Sequence, residues 1–138
     1  MAEEDFNSKT DWFETAIQSW AFNNTDMPNA TPNVEVALHT GDPTNSGDSN
    51  EVNTVDYERA TVPVANITTT GNNPRTATNT EAILFVEAET NWGTVTHSTI
   101  WQPVIDQPLY WGEFAIHRNV NEGEQYEIDV GDLIVRDF

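Results

Sequence analysis

The spacing of apolar residues along the chain changes from a helical period to a strand period near residue 34. Within residues 8–22, SKTDWFETAIQSWAF, the apolar positions fall at i, i+3, i+4 and i+7, as on one face of a helix. They are Phe13, Ala16, Ile17 and Trp20. The spacing predicts an amphipathic helix whose narrow aromatic stripe docks onto a sheet or onto a neighbouring subunit. Residues 23–33 then form a linker, because Pro28 and Pro32 prevent the helix from continuing.

From residue 34 onward, runs with period two and rich in Val, Ile, Thr and aromatic residues predict strands. Their ranges are 34–40, 57–64, 81–88, 93–101, 108–116, 125–130 and 133–138. Polar segments with Gly, Pro and Asn separate them, and no helical pattern intervenes. Strand after strand without helices predicts a mainly β fold, an antiparallel β-sandwich or jelly-roll-like structure with an N-terminal α-helix. The expected division is a helix and linker in residues 1–33 and a sandwich domain in residues 34–138.

The charge balance is strongly acidic and restricts the partners. The 138 residues include 23 acidic and 5 basic side chains, which gives a net charge of −18. Nucleic acid binding, which needs Lys and Arg against phosphates, is therefore not expected. Because 37% of the residues are hydrophobic, the chain is expected to fold rather than remain disordered. An acidic folded surface is typical of proteins that work in concentrated salt, which screens its self-repulsion, so we predict a halophilic source.

Other classes of site are also restricted by composition. The chain has no cysteine, which excludes disulfides, thiolate metal sites and a cysteine nucleophile. No apolar run has the length of a membrane span, and the acidic N-terminus MAEEDFNSKT does not resemble a signal peptide. No phosphate-binding loop, nucleophile elbow or dinucleotide-binding fingerprint is present, so we predict neither catalytic activity nor a cofactor.

The segment HTGDPTNSGDSNEV, residues 39–52, has the composition of a calcium-binding loop. An EF-hand template that begins at Asp42 places Gly47 correctly, but it puts Asn53 where a bidentate carboxylate is required. An irregular cation site from Asp42, Asp48 and Glu51 is an alternative, and a polar connection between strands is the favoured interpretation. The three histidines share strand positions without the helical spacing of a zinc site, which predicts no metal ligation. They are His39, His97 and His117.

The central strands carry an unusual number of large aromatic residues. These are Trp92, Trp101, Tyr110, Trp111 and Phe114. Exposed, coplanar rings would indicate a glycan-binding platform, whereas buried rings would indicate a core or an interface. The run 108–116 is apolar on both faces, which suggests that a neighbouring subunit or the N-terminal helix covers one of them.

Several motifs together resemble a family of small tailed-phage virion proteins, often labelled tail-fibre or minor structural proteins. They are VALHTGDPTNSGDSNEV (36–52), YERATV (57–62), EAILFVEAETNWGTVTHSTIW (81–101), PLYWGEF (108–114) and VNEGEQYEIDVGDLIVR (120–136). The resemblance covers about residues 34–137 and implies a structural protein with no assigned catalytic residues. The chain departs from the family pattern in two respects, its greater acidity and its first 33 residues. Its acidity makes the chain similar to what a family member from a tailed virus of haloarchaea would be.

We therefore predict a structural virion protein, assembled in the host cytoplasm and displayed as a homo-oligomeric head decoration or turret. The alternatives are a tail-fibre or baseplate-tip protein and a module that binds a host surface glycan. The expected partners are copies of the chain and other capsid or tail proteins, and no membrane span is expected. The candidate oligomer or anchor interface consists of Phe13, Ile17, Trp20 and Trp111.

Overall fold

A computed structural model describes residues 4–6 and 8–137, which contain one α-helix and eleven strands. In chain order these are β1 (Glu4–Phe6), β2 (Ser8–Lys9), α1 (Asp11–Phe22), β3 (Asn33–His39), β4 (Ala60–Pro63), a 3-10 turn (Val64–Asn66), β5 (Ile67–Thr70), β6 (Arg75–Asn79), β7 (Ile83–Glu87), β8 (Gly93–Gln102), β9 (Gln107–Val120), β10 (Gln125–Ile128) and β11 (Leu133–Asp137). No helix within these residues is long and apolar enough to cross a membrane.

The strands form a β-sandwich whose larger sheet runs in the order β4-β3-β8-β9-β1-β11-β6-β5, with β2 also paired to β9. A two-stranded sheet of β7 and β10 completes the structure. All pairs are antiparallel except β1 with β11. The predicted antiparallel sandwich with an N-terminal helix is confirmed.

Strand β9 connects the two halves of the larger sheet. Its first part pairs with β2 and β8, and Phe114 then pairs with Glu4 of β1. Pairing with β8 is irregular between Val95 and His97, which face Arg118 and Glu113 respectively. Extra residues on one strand bend it and increase its twist, so β9 can turn from one half of the sandwich into the other.

The apolar faces of all these strands meet in one core. The largest fully buried apolar side chains are Tyr126, Phe85, Phe114, Leu38, Ile128, Leu133, Val36 and Val95. They come from both halves of the larger sheet and from the two-stranded sheet, and they belong to a single contiguous cluster. Three of them, Phe85, Phe114 and Tyr126, pack ring against ring with centroids 5.7–5.8 Å apart. The core therefore joins every strand layer into one packed body.

The structure corrects several predicted boundaries. Within the predicted range 8–22 the helix begins only at Asp11, with Thr10 as its N-cap, because Ser8 and Lys9 pair with β9 as strand β2. Residues 68–76, predicted as a turn, instead belong largely to the hairpin of β5 and β6. Strands β1 and β2 add the N-terminal segment to the sheet of the sandwich. The division of the chain at residue 33 stays a prediction.

Candidate attachment surface and polar loop

Helix α1 is fixed to the sandwich at its amino end. Thr10 is the N-cap: its side-chain oxygen accepts a hydrogen bond from the Phe13 amide, 3.3 Å away, and donates one to the Pro108 carbonyl. The Thr10 amide donates to the Leu109 carbonyl at 2.9 Å, and the Asp11 amide donates to the Asn45 carbonyl at 2.8 Å. The first turn of the helix is thus bonded both to β9 and to the loop that follows β3.

Toward its carboxyl end the same helix is progressively exposed. No residue of α1 is fully buried, Phe13 packs edge-on against Tyr110 with centroids 5.3 Å apart, and Ile17 is half-buried. Trp20 is 60% exposed and Phe22 is 80% exposed. The apolar stripe therefore docks onto the chain's own sheet at one end and presents uncovered aromatic rings at the other.

The four predicted interface residues do not form one surface. Phe13 contacts Tyr110, whereas Trp111 is the next residue of β9 and points to the opposite face of the sheet. The Trp111 ring lies 6.4 Å from that of His97, and its Nε1 is buried with no hydrogen-bond partner among the described residues. Phe22 falls outside the stripe spacing and was not predicted as an interface residue, although its position at the end of an aromatic-rich helix was a usable signal.

An apolar groove lies between the amino half of α1, the linker and the sheet. Its volume is about 230 Å³, and its walls include Trp12, Phe13, Met27, Pro28, Ile105 and Leu109. The groove shows that the helix rests on the sandwich without packing tightly against it along its whole length.

The polar loop after β3 is held by its own hydrogen bonds. An Asp42 carboxylate oxygen accepts from the Thr44 amide at 2.7 Å, and the Ser46 hydroxyl donates to Asp48 at 2.7 Å. Gly47, at a φ of +75°, lies so close to Thr10 and Pro108 that a Cβ there would approach both at 2.9 Å. The segment is therefore a compact connection bonded to the helix cap.

Glu51, the third candidate cation ligand, is bound to Arg59. Its two carboxylate oxygens each accept a hydrogen bond from the guanidinium at 2.9 Å, and one also accepts from the Tyr57 hydroxyl at 2.9 Å. Within residues 4–6 and 8–137, no group of three or more acidic or histidine side chains is arranged to hold a metal ion. Asp42, Asp48 and Glu51 thus have separate structural roles.

Arg59 is the centre of a partly buried polar cluster. Its guanidinium carbon lies 3.7 Å from the centroid of the buried Trp101 ring, and its Nη1 is 3.4 Å from Glu35 and 3.4 Å from Asp106. Although desolvation favours the neutral form, the hydrogen bonds from Arg59 to Glu51 raise the pKa of the guanidinium. The cation therefore stays charged under all ordinary conditions and joins loop, β3 and β8.

His39 is fully buried beside this cluster. Its Nδ1 is 2.7 Å from the Ser49 carbonyl, and its Nε2 is 2.8 Å from the Thr99 hydroxyl, which also accepts from Trp101 Nε1 at 2.6 Å. A neutral ring that donates from Nδ1 and accepts at Nε2 satisfies all of these groups. Burial lowers the pKa of His39, so the ring is neutral at pH 7.

The other two histidines take different positions. His97 is half-buried, lies directly opposite His39 in the pairing of β3 with β8, and has a pKa lowered by burial. His117 is exposed and bonds Glu113, with Nε2 2.9 Å from the carboxylate. The His97 Nδ1 lies 2.7 Å from the Thr96 hydroxyl, so each of the three rings has a local partner.

A second polar cluster is centred on Asp56. Its carboxylate accepts hydrogen bonds from Trp92 Nε1 at 3.0 Å, the Thr90 hydroxyl at 2.7 Å and the Glu89 amide at 2.6 Å. Desolvation opposes ionisation, but these hydrogen bonds outweigh it and hold the pKa of Asp56 well below its ordinary value. This cluster connects the turn before β4 to the turn before β8.

The tryptophans of the central strands do not form an exposed platform. Trp92 is 4% exposed and Trp101 is 6% exposed, while Trp111 is half-buried. Trp92 packs edge-on against Tyr57 at 5.4 Å, and Trp101 lies beneath Arg59. Their large ring areas stabilise the fold, which is the arrangement expected of a structural protein rather than of a glycan-binding surface.

The described residues thus form a β-sandwich with an internally bonded polar cluster, buried tryptophans and a helix that carries uncovered aromatic rings. Residues 8–136 match the family model described as podophage GP4 fiber I protein gp80. The chain belongs to this family, whose members are structural fibre proteins of the virion. The match includes the helix, so the family region begins well before residue 34, where the sequence resemblance was expected to start. None of the curated proteins matches the chain.

Proposed function

We propose that the chain is a non-catalytic fibre component of a tailed virus particle, assembled in the host cytoplasm and held to the particle through the carboxyl half of α1. The observation that carries the proposal is the match of residues 8–136 to a phage fibre family. That match supports the tail-fibre alternative more than the head decoration or turret, for which no feature of the fold is specific.

The exposed end of α1 supports the mode of attachment. Trp20 and Phe22 lie on a surface of a chain with a net charge of −18 that is otherwise rich in acidic side chains. Covering a large apolar side chain stabilises a contact by about 1.5–3 kcal/mol. Two such rings at one helix end are well suited to a hydrophobic pocket on another virion protein.

Labelling of intact particles tests the location. Gold-conjugated antibody raised against the purified chain should mark tail appendages in negatively stained micrographs, and serum depleted with the same chain serves as the control. Label confined to the head would contradict the fibre proposal and return support to a decoration or turret. Absence of label from particles in which the chain is detected by mass spectrometry would contradict surface display.

We also propose that the virus infects a haloarchaeal host, on the ground of the charge of the chain. Unfolding separates like charges, so the folded state gains relative stability as salt shortens the screening length to about 3 Å near 1 M. The melting temperature should therefore rise between dilute buffer and molar KCl. Sucrose at matched osmolality is the control, and an equal effect of sucrose and salt, or no effect of salt, would contradict the proposal.

A further inference from the structure

Strand β5 has one edge without a strand partner among the described residues. It stands at the end of the strand order and pairs with β6 alone, with Thr68 opposite Thr78 and Thr70 opposite Thr76. Thr68, Thr69 and Thr70 are all exposed. An edge of this kind presents main-chain groups that another strand can pair with.

The hydrogen-bond ladder shows which main-chain groups face the open edge. The Thr80 amide donates to the Asn66 carbonyl at 2.8 Å, so the alternation of antiparallel pairs places Thr68 and Thr70 in bonds to β6. Ile67 and Thr69 then direct their main-chain groups outward. The Ile67 amide is already bonded to the Val64 carbonyl, which leaves the Thr69 amide, the Thr69 carbonyl and the Ile67 carbonyl at the edge.

The two ends of the larger sheet are protected very differently. Strand β4, at the opposite end, closes with Pro63 and runs directly into the 3-10 turn, which prevents further pairing there. Strand β5, with the sequence Ile-Thr-Thr-Thr, contains no proline and no charged residue. Threonine also favours extended pairing. Of the two ends, only β5 is suited to add a strand.

The charge distribution singles out the same edge. Residues 60–80 contain no Asp or Glu, although the whole chain contains 23 acidic residues, and Arg75 donates to the Thr69 hydroxyl at 2.8 Å beside this edge. Two copies of a chain with a net charge of −18 repel each other wherever their acidic surfaces meet. A second copy therefore approaches with the smallest electrostatic cost along β5.

We infer that β5 of one copy pairs antiparallel with β5 of a second copy across a two-fold axis, with Thr69 opposite the same residue of the other copy. In this register the Thr69 amide of each copy donates a hydrogen bond to the Thr69 carbonyl of the other copy. A shift that places Ile67 opposite Thr69 needs the Ile67 amide, which Val64 already occupies. The contact is separate from α1, so a dimer formed through β5 displays two anchoring helices.

The proposed register places Thr68 of one copy opposite Thr70 of the other in a non-hydrogen-bonded pair. Cα atoms in such pairs are about 4.5 Å apart, within the range that a disulfide bridges. Both side chains lie on the exposed face, since Ile67 and Thr69 line an apolar cavity on the other side of the strand. The chain has no native cysteine, which makes cross-linking specific.

Oxidation of the full-length T68C/T70C variant in molar KCl tests the inference. We expect a covalent dimer in about 10-fold greater yield than from T68C or T70C alone, because only the double variant opposes two cysteines at bridging distance. L84C/V86C, with the same spacing on exposed positions of β7, is the matched control for random collision. Circular dichroism of every variant verifies the fold.

Three results would overturn the inference. Equal yields from the double variant and the β7 control would show that the contact is collisional. Efficient cross-linking by T68C alone would show a different register. A monomer in sedimentation velocity at high protein concentration and molar KCl would show that another occupant, such as a different virion protein, covers the edge. These measurements use the purified chain, so they succeed or fail independently of its place in the virion.

Discussion

The polar loop after β3 and the carboxyl end of α1 differ in how far the fold satisfies its own side chains. Around Arg59, three carboxylates and an aromatic ring contact one guanidinium, and the Tyr57 hydroxyl bonds one of those carboxylates, so a segment dense in acidic and polar residues has its groups bonded within the chain. At the end of α1, Trp20 and Phe22 lie largely in solvent. The polar loop, whose sequence resembles a cation-binding site, therefore stabilises the fold, whereas the amphipathic helix leaves two aromatic rings uncovered.

The reason lies in the scarcity of cations. With 5 basic residues for 23 acidic ones, each Arg or Lys has a choice of carboxylates and can be placed where several converge. Arg59 is used in this way and neutralises the loop carboxylate Glu51, one of the three candidate cation ligands. An abundance of acidic residues is therefore poor evidence of a metal site in such a chain.

Among the proposed substitutions, removal of Arg59 should lower the free energy of unfolding most. R59A leaves Glu51 and Glu35 without their cation and uncovers the Trp101 ring, so the free energy of unfolding should fall by about 3 kcal/mol. Urea unfolding in molar KCl measures it.

The matched control for R59A is R118A. Arg118 is exposed and lies 5.5 Å from the Tyr126 ring, so its removal should cost less than about 1 kcal/mol. Equal losses for the two variants would show that the loop does not depend on its internal cation.

Acidification should have a smaller effect on the same region. The unfolded chain binds a proton at the ordinary His pKa near 6.5, while burial lowers the pKa of folded His39. The stability from the neutral ring is complete above pH 6.5 and is lost as pH falls toward the folded value. We expect the free energy of unfolding to decrease as pH falls from 7 to 5, by at most about 2 kcal/mol, since one titrating group contributes no more than about 1.4 kcal/mol per pH unit below its unfolded pKa.

Two substitutions assign this pH dependence. H39Q removes the titrating group and should flatten the slope between pH 7 and 5, apart from a smaller contribution of half-buried His97, whose pKa burial also lowers. H97Q removes the half-buried ring and should flatten the slope less than H39Q does. An undiminished slope in H39Q would show that His39 does not sense pH.

How much the sequence predicts depends on how local the signal is. Period-two runs located the seven strands from β3 onward that carry large apolar side chains, and the i, i+3, i+4 spacing located α1. Strands β5 and β6 were not predicted, because they are short, rich in Thr and joined by a turn that contains Gly71 and Asn73, both at positive φ. Strand β1 pairs with the distant β9 and β11, and a local pattern carries no signal for such pairing.

The candidate attachment surface was also predicted only in part. The stripe spacing identified Trp20, but it could not show that Phe13 contacts the chain's own Tyr110 while Trp111 faces the other side of the sheet. That separation depends on β2 and on the Thr10 cap, which orient the helix on β9 through residues far apart in sequence. The bond between Glu51 and Arg59 had one usable signal, a lone cation close to an acidic loop.

The smallest effect on stability is expected at the end of α1, where W20S/F22S should change the free energy of unfolding by less than about 0.5 kcal/mol, since exposed side chains away from structural features contribute little. The same variant should fail to join particles when it replaces the wild-type chain, whereas V104S, a substitution at a residue that is 75% exposed, should join them normally. Western blots of purified particles measure incorporation, and urea unfolding measures stability. Normal incorporation of W20S/F22S, or its loss of several kcal/mol in stability, would show that α1 completes the sandwich rather than attaching it to a partner.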